Sequence, residues 1–457
     1  MKQVDIYLSD IFISQRMDVL SCNGRAGMKD LVPLSRYMEV KGGKRIPKGM
    51  SFSMVKTNYL YLRLSDIDDF ERIDYDKLKC IDEKIYDILK RYEVKNGQVV
   101  FSNAGTIGRV FVVNNIPKGK HVILTENCAK LLPKTNDILP DYISLVLNCS
   151  FVQKQIEQNS VLTTIPKIGL DRISRLMMPP LPSLNAQKKI VALYNNAINV
   201  RHVKIKEGML LLDTIDDYID RCLQTNGRRD SIDGRSIFFS NLSSVIGNRL
   251  DVASKKGRND LTSKVYPNEK LSSIVEIDPS IRFSQFDRTM RISFIPMECI
   301  DERYGEISEY RETTMSESKG YTRFEEGDLL WAKISPCMQN GKSAIAKNLK
   351  NGMGCGSTEY FVIRPKNANV LIDYIYILLR HRDVLKAAQS SFGGSAGQQR
   401  VSGQYMKSII LPVPDYATQN AIVEEVYKIK DRAKLLLQEG DAISNEVKQK
   451  VEKLIIG

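Results

Sequence analysis

Met177-Met178-Pro179-Pro180-Leu181-Pro182 and Ile409-Ile410-Leu411-Pro412-Val413-Pro414 are one segment written twice in the same chain. Pro180 and Pro182 fall on Pro412 and Pro414, an offset of 232 residues. At that offset Gln187 falls on Gln419, Ile190-Val191 on Ile422-Val423, and Asp141-Tyr142-Ile143 on Asp373-Tyr374-Ile375. Thr125-Glu126 falls on Thr358-Glu359, and Gln15-Arg16-Met17-Asp18 on Asn248-Arg249-Leu250-Asp251, each shifted by one further residue. Such a period lies far beyond the roughly 20–50 residues of solenoid repeats. The sequence therefore predicts a duplicated domain, each copy followed by a helix, and two similar working ends.

The prolines cannot lie inside a helix, so they mark where each domain ends. After Pro414 the apolar residues are Ile422, Val426, Ile429, Ala433 and Leu436, then Ile443, Val447 and Leu454. This alternation of fours and threes is the seam of a coiled coil, interrupted at Gly440 and Lys450. Gly440 costs a helix about 1 kcal/mol relative to Ala, so the pattern allows a bend or break there. After Pro182 come Ile190, Tyr194, Ala197, Leu211, Ile215, Tyr218 and Cys222, with a parallel row of Ile198, Ile205, Leu212 and Ile219 spaced by sevens. Two helices of about 40 residues, each roughly 60 Å long, are expected to pack on each other. An ordinary core helix is the competing reading; length, charged faces and occurrence in both copies favour the paired one.

Within each copy, strand-like runs alternate with turns marked by Gly, Asn and Pro. In the first these are Tyr59-Leu60-Tyr61-Leu62-Arg63-Leu64 and Val99-Val100-Phe101; in the second, Ser293-Phe294-Ile295, Asp328-Leu329-Leu330-Trp331 and Tyr360-Phe361-Val362-Ile363. A helix is predicted over residues 140–158 and again over 372–390. The fold class is α+β. The predicted divisions are a domain over 1–182, a long helix over 183–224, a linker over 225–240, a second domain over 241–414 and a second long helix over 415–457.

Composition bounds the function. The chain has 457 residues, 42% of them hydrophobic, which suits several folded domains rather than a disordered chain. Lys and Arg number 67 against 54 Asp and Glu, a net charge of +13. That excess fits a polyanionic partner, whose counterions are released on binding; solubility alone is the competing explanation. Eight cysteines form no CxxC pair and the three histidines stand beside none of them, which argues against a zinc site. No apolar run is long enough to span a bilayer, and residues 1–12 carry Asp5 and Asp10 in place of a signal-peptide core. A soluble cytoplasmic protein is expected.

Several enzyme-like strings fail. Residues 336–343 imitate a phosphate-binding loop, but Pro336 stands where the first glycine must turn. Residues 392–397 imitate a methyltransferase glycine loop with Ala396 at the last glycine. Met178-Pro179-Pro180-Leu181 lacks the Asn or Asp and the aromatic of a catalytic Asn-Pro-Pro-Tyr string. The histidines offer no triad. No catalytic constellation emerges.

Two further groups of residues complete the pattern. Gly42-Gly43-Lys44-Arg45-Ile46-Pro47-Lys48-Gly49, followed by Tyr61-Leu62-Arg63-Leu64-Ser65-Asp66-Ile67, lies in the first copy. Gly394-Ser395-Ala396-Gly397-Gln398-Gln399-Arg400-Val401, then Leu411-Pro412-Val413-Pro414 and Gln419, lies in the second. Together these resemble the specificity (S) subunit of type I restriction–modification systems over essentially the whole chain. The first copy departs from that pattern over residues 160–168, and the second lacks the Gly-Lys-Arg-Ile-Pro loop.

The resemblance implies two target recognition domains, each reading half of a split, asymmetric double-stranded DNA site. It also implies two long helices packed as an antiparallel coiled coil that spaces the domains. Two methyltransferase subunits would dock on them and carry the restriction subunits. S-adenosylmethionine and ATP would belong to those partners, so this chain is expected to be non-catalytic and without a cofactor. A helix pair of roughly 60 Å matches about 18 base pairs, and lengthening a helix should change the gap and not the half-sites. Unlike half-sites need two unlike readers, which one chain with divergent copies supplies and a homodimer does not. The residues expected at DNA are Lys44, Arg45, Lys48, Arg63, Arg109 and Lys167 in the first copy. In the second they are Lys333, Gln339, Lys342, Gln398, Gln399 and Arg400. Arginine suits guanine and glutamine suits adenine as bidentate readers, while lysine mostly holds phosphate. Two rivals stay open: the specificity chain of a type IIB-like fused nuclease–methyltransferase, and a coiled-coil scaffold whose end domains bind protein.

Overall fold

The computed structural model describes residues 31–67, 73–160, 166–225, 261–281, 287–393 and 399–456. The paired strings at Arg16 and Arg249 and most of the linker lie outside the described residues. The chain divides into two units, one running up to Val203 and resuming at Glu439, the other covering Lys204–Gln438, so each takes part of both long helices.

The first unit is built on two four-stranded sheets. One is fully antiparallel, in the order Met38–Gly42, Cys128–Pro133, Gln98–Ser102, Val110–Val113. The other has the order Lys79–Cys80, Tyr59–Leu62, His121–Leu124, Glu93–Val94, with its two central strands parallel. Gln98–Ser102 shows why the layers stack. Successive side chains of a strand point to opposite faces, and here both faces are apolar. Val99 and Phe101 join the core formed with the helices Pro140–Asn148 and Ser150–Asn159, while Val100 joins Leu60, Leu62 and Val122 between the sheets.

The second unit has the same strand order with its own residues. Its antiparallel sheet runs Val275–Ile277, Tyr360–Pro365, Leu329–Ala332, Ser343–Ile345. Its mixed sheet runs Arg311–Thr314, Arg291–Ile295, Met353–Gly356, Thr322–Glu325, again with the central pair parallel. Leu329 and Trp331 face the helices Ile372–Leu379 and Arg382–Ser390, and Leu330 faces Ile295 and Phe324. Trp331 is 1% exposed and its indole N–H donates to the Leu379 carbonyl, as a core residue should.

Where one helix was expected over residues 140–158 and over 372–390, each unit has two. Cys149 and His381 take extended backbone and interrupt the helix. The freed N–H groups of the following turn find partners, as helix starts require. A carboxylate of a long helix supplies one in each unit: Glu452 accepts from the Ser150 N–H at 2.8 Å, and Asp216 from the Arg382 N–H at 3.2 Å. His381 adds its own ring nitrogen, accepting from the Asp383 N–H.

The long helices are Leu184–Leu223 and Tyr416–Ile456. The glutamine repeated in the sequence sits in the first turn of each, almost wholly buried. Gln187 donates to the carbonyls of Asp137 and Pro182 and accepts from the Leu139 N–H. Gln419 does the same with Asn369, Pro414 and Leu371. Each amide thus ties the proline junction, the domain's helix start and the long helix together.

Within each unit the long-helix segments run antiparallel. In the first, Ile190 and Val191 share a core with Val451 and Ile455, while Arg201 pairs with Asp441 at 2.7 Å. In the second, Ile219 and Leu223 share a core with Ile422 and Val426. The break that the pattern allows at Gly440 does not occur, and the helix passes through it. The glycine serves close approach instead. A Cβ there would lie 3.3–3.4 Å from Arg201, and one on Gly208 would lie 3.1 Å from the Ala433 carbonyl oxygen. The seam also shifts near the end: Leu454 is 54% exposed, and Val451 and Ile455 are buried in its place. An α-helix advances 3.6 residues per turn, so a strict seven-residue pattern drifts off the buried stripe. Among the described residues no helix is long and apolar enough to cross a membrane.

Candidate nucleic-acid interface

Both units hold two loops in one frame. In the first, the Gly105 N–H donates to the Pro166 carbonyl and the Ile168 N–H to that of Asn103, with Ala104 bridged to Lys167. In the second, the Ser335 N–H donates to Gln399 and the Val401 N–H to Lys333, with Ile334 bridged to Arg400. Lys167 therefore stands where Arg400 stands, and Asn103 where Lys333 stands. Beside this frame is the five-residue turn that joins the central parallel strand to the antiparallel sheet, residues 124–128 in one unit and 356–360 in the other.

That turn corrects the sequence alignment. Ser102 pairs with Cys128 and Ala332 with Tyr360, and both turns have equal length, so Glu126 is matched by Thr358 and Asn127 by Glu359. Glu359 sits one position later in its turn than Glu126 does. Thr125-Glu126 and Thr358-Glu359 match as letters, but the strands put them out of step.

In the first unit, Gly43 brings the chain onto the turn. Its N–H donates to the Cys128 carbonyl, and an added Cβ would fall 2.0 Å from the Thr125 carbonyl oxygen, so only glycine fits. The next two residues are two of the expected contacts. Lys44 is exposed, its backbone held by Leu124 and by the Tyr61 hydroxyl at 2.8 Å. Arg45 is 80% exposed along its side chain, yet its Nε reaches Glu126 Oε1 at 2.5 Å. The Tyr61 and Thr125 hydroxyls donate to the other Glu126 oxygen at 3.4 and 3.2 Å. Burial pushes this carboxyl up in pKa, but the Arg45 hydrogen bond and charge, together with hydrogen bonds from its own backbone and the Thr125 hydroxyl, leave it below the ordinary range. Lys48 is exposed in the following turn.

The second unit builds a comparable cluster from other loops. Arg400 grips Glu359 through Nε and Nη2 at 2.7–3.0 Å. That pairing holds the carboxyl below its ordinary range, and the charge of Lys333 adds to it. The Lys333 ammonium lies over the Phe361 ring at 5.3 Å and near the Tyr360 carbonyl. Gln339 accepts from the Ser335 hydroxyl at 2.8 Å, and Gln399 holds the same residue through its backbone. Lys333, Gln339, Gln399 and Arg400 are thus gathered on one frame. Gln398 lies outside the described residues.

Three other expected contacts also bond within the chain. Arg63 is locked to Asp66 by bonds of 2.6 and 3.0 Å. Arg109 donates to the Ile67 carbonyl at 3.3 Å, and Lys342 to that of Met297 at 3.1 Å. Sequence reasoning, in turn, passed over the two glutamates. The repeated Thr-Glu string was their signal, used only to align the copies.

A family model described as the type I restriction modification DNA specificity domain matches residues 36–206 and 269–447, well over half of the chain. Over 190 residues the chain is 35% identical to the type I restriction enzyme EcoEI specificity subunit of Escherichia coli, covering 40% of this chain and 31% of that one. It is 34% identical over 186 residues to the EcoAI specificity subunit of the same organism, with the same coverage. The chain thus spans about a third of the length of the curated relatives it matches. A solved chain described under complex assembly and conformational transition of the type I R-M system superposes with a TM-score of 0.51 at 12% identity, covering 94% of this chain and 98% of the other. At that identity the likeness speaks for the fold.

Proposed function

Because the chain belongs to the type I restriction–modification DNA specificity family, we propose that it is the non-catalytic subunit that reads a split, asymmetric DNA site. In this reading each unit is a target recognition domain for one half-site, the two domains descend from an internal duplication, and the long helices form an antiparallel coiled coil between them. Methyltransferase and restriction subunits are the protein partners, and they supply the chemistry.

One observation carries the reading. Each unit holds its loops in the same hydrogen-bonded frame but fills it with different residues: Asn103, Pro166 and Lys167 in one, Lys333, Gln399 and Arg400 in the other. A shared scaffold with unlike donors is what two unlike half-sites demand, since base edges in the major groove are distinguished by their pattern of donors and acceptors. The net charge of +13 suits the phosphate backbone.

Methylation-position sequencing of DNA from cells with and without this gene tests the proposal. A split adenine-methylated motif that disappears on deletion supports it. An unchanged methylome in cells with an active partner methyltransferase overturns it.

A further inference from the structure

The two units place an arginine–glutamate pair at the same turn, although the arginine comes from different loops. Arg45 precedes the turn by 81 residues, and Arg400 follows it by 41. The carboxylates are mostly covered, their side chains 29% and 22% exposed, whereas the arginines are 80% and 40% exposed. Each pair thus has a fixed anion and an outward cation, on the loops proposed to face DNA.

A guanidinium held this way exchanges partners at a cost. Moving it to a phosphate replaces one anion by another and leaves the mostly covered carboxylate unpaired beside the polyanion. Guanine is different: its O6 and N7 accept two parallel N–H groups, and a neighbouring exocyclic amino group can donate to the carboxylate. Both members of the pair are then satisfied together.

Resting on the DNA-reading proposal, we propose that Glu126 and Glu359 are positioning residues that make Arg45 and Arg400 selective for guanine over phosphate. Neither glutamate is a simple surface counter-charge. Each restrains its arginine until a base edge satisfies both groups.

The test compares wild type with Glu126→Gln and Glu359→Gln, each assembled in its methyltransferase complex. Dissociation constants for cognate and non-cognate duplexes are measured across salt concentrations. Each variant should bind non-cognate DNA roughly three- to tenfold more tightly, with a salt slope steeper by about 0.9 for each freed cation. The preference for cognate DNA should fall in step. Arg45→Gln and Arg400→Gln backgrounds should abolish these effects, and Glu126→Asp and Glu359→Asp, which keep the charge, should keep the wild-type slope. Unchanged non-cognate affinity and slope would sink the inference, as would equal effects in the arginine-free backgrounds. A wild-type complex with no preference for its cognate site would instead defeat the DNA-reading proposal, and that outcome needs no variant.

Discussion

The first unit holds its turn glutamate with an arginine from the glycine-rich loop, and the second with an arginine from the loop that ends at Val401. At the start of the long helices, by contrast, Gln187 and Gln419 make the same three hydrogen bonds to corresponding groups. The difference separates two kinds of constraint. Where a buried side chain must pair its own amide with set backbone groups, the choice is narrow, because a polar group left unpaired away from water is expensive. Where it faces solvent and a ligand, many loops can deliver the same chemistry.

The glutamines offer the sharpest way to break that comparison. Gln187→Ala and Gln419→Ala should each cost about 2–3 kcal/mol, since each empties a buried site and leaves three backbone groups at the junction, most of them part-buried, without their partner. Urea unfolding measures it, and a large loss in only one unit would show that the clamps are not equivalent. Next come the glycines at helix crossings. Gly208→Leu and Gly440→Leu should each destabilise by about 2 kcal/mol through overpacking, read as a lower midpoint in thermal unfolding. A neutral result would mean the helices separate easily there.

The arginines test the variable part. Arg45→Ala should weaken binding to one half-site roughly tenfold and leave the other unchanged, and Arg400→Ala should do the converse. Competition binding with duplexes altered in one half at a time would reveal it, and losses at both halves would blur the division of labour. The smallest effect is on pH. Both glutamates are held below their ordinary value of 4.5, so their pairs are complete at neutral pH. Their stabilising contribution is present above that value and is lost as the pH falls through the lowered pKa. Stability followed from pH 6 to pH 3 should therefore stay level until about pH 4.5 and fall below it, less steeply in Glu126→Gln and Glu359→Gln.

Much of this protein was legible in its letters. The repeated prolines, the glutamine and the apolar spacing point to the two long helices found over Leu184–Leu223 and Tyr416–Ile456, because turn breakers and periodic burial are local properties of a chain. The basic loops were legible as candidates for the same reason. Tertiary structure decided the rest. Gly440 reads as a helix breaker until Arg201 is seen against it, since the benefit of close approach belongs to the neighbouring helix. Likewise nothing in the letters shows that Arg63, Arg109 and Lys342 bond to Asp66, Ile67 and Met297. The pairing of Arg45 with Glu126 spans 81 residues and no repeat announces it. Patterning reports which side chains are buried; only the folded chain reports which groups meet, because partners distant in sequence are chosen by the packing of sheets and helices.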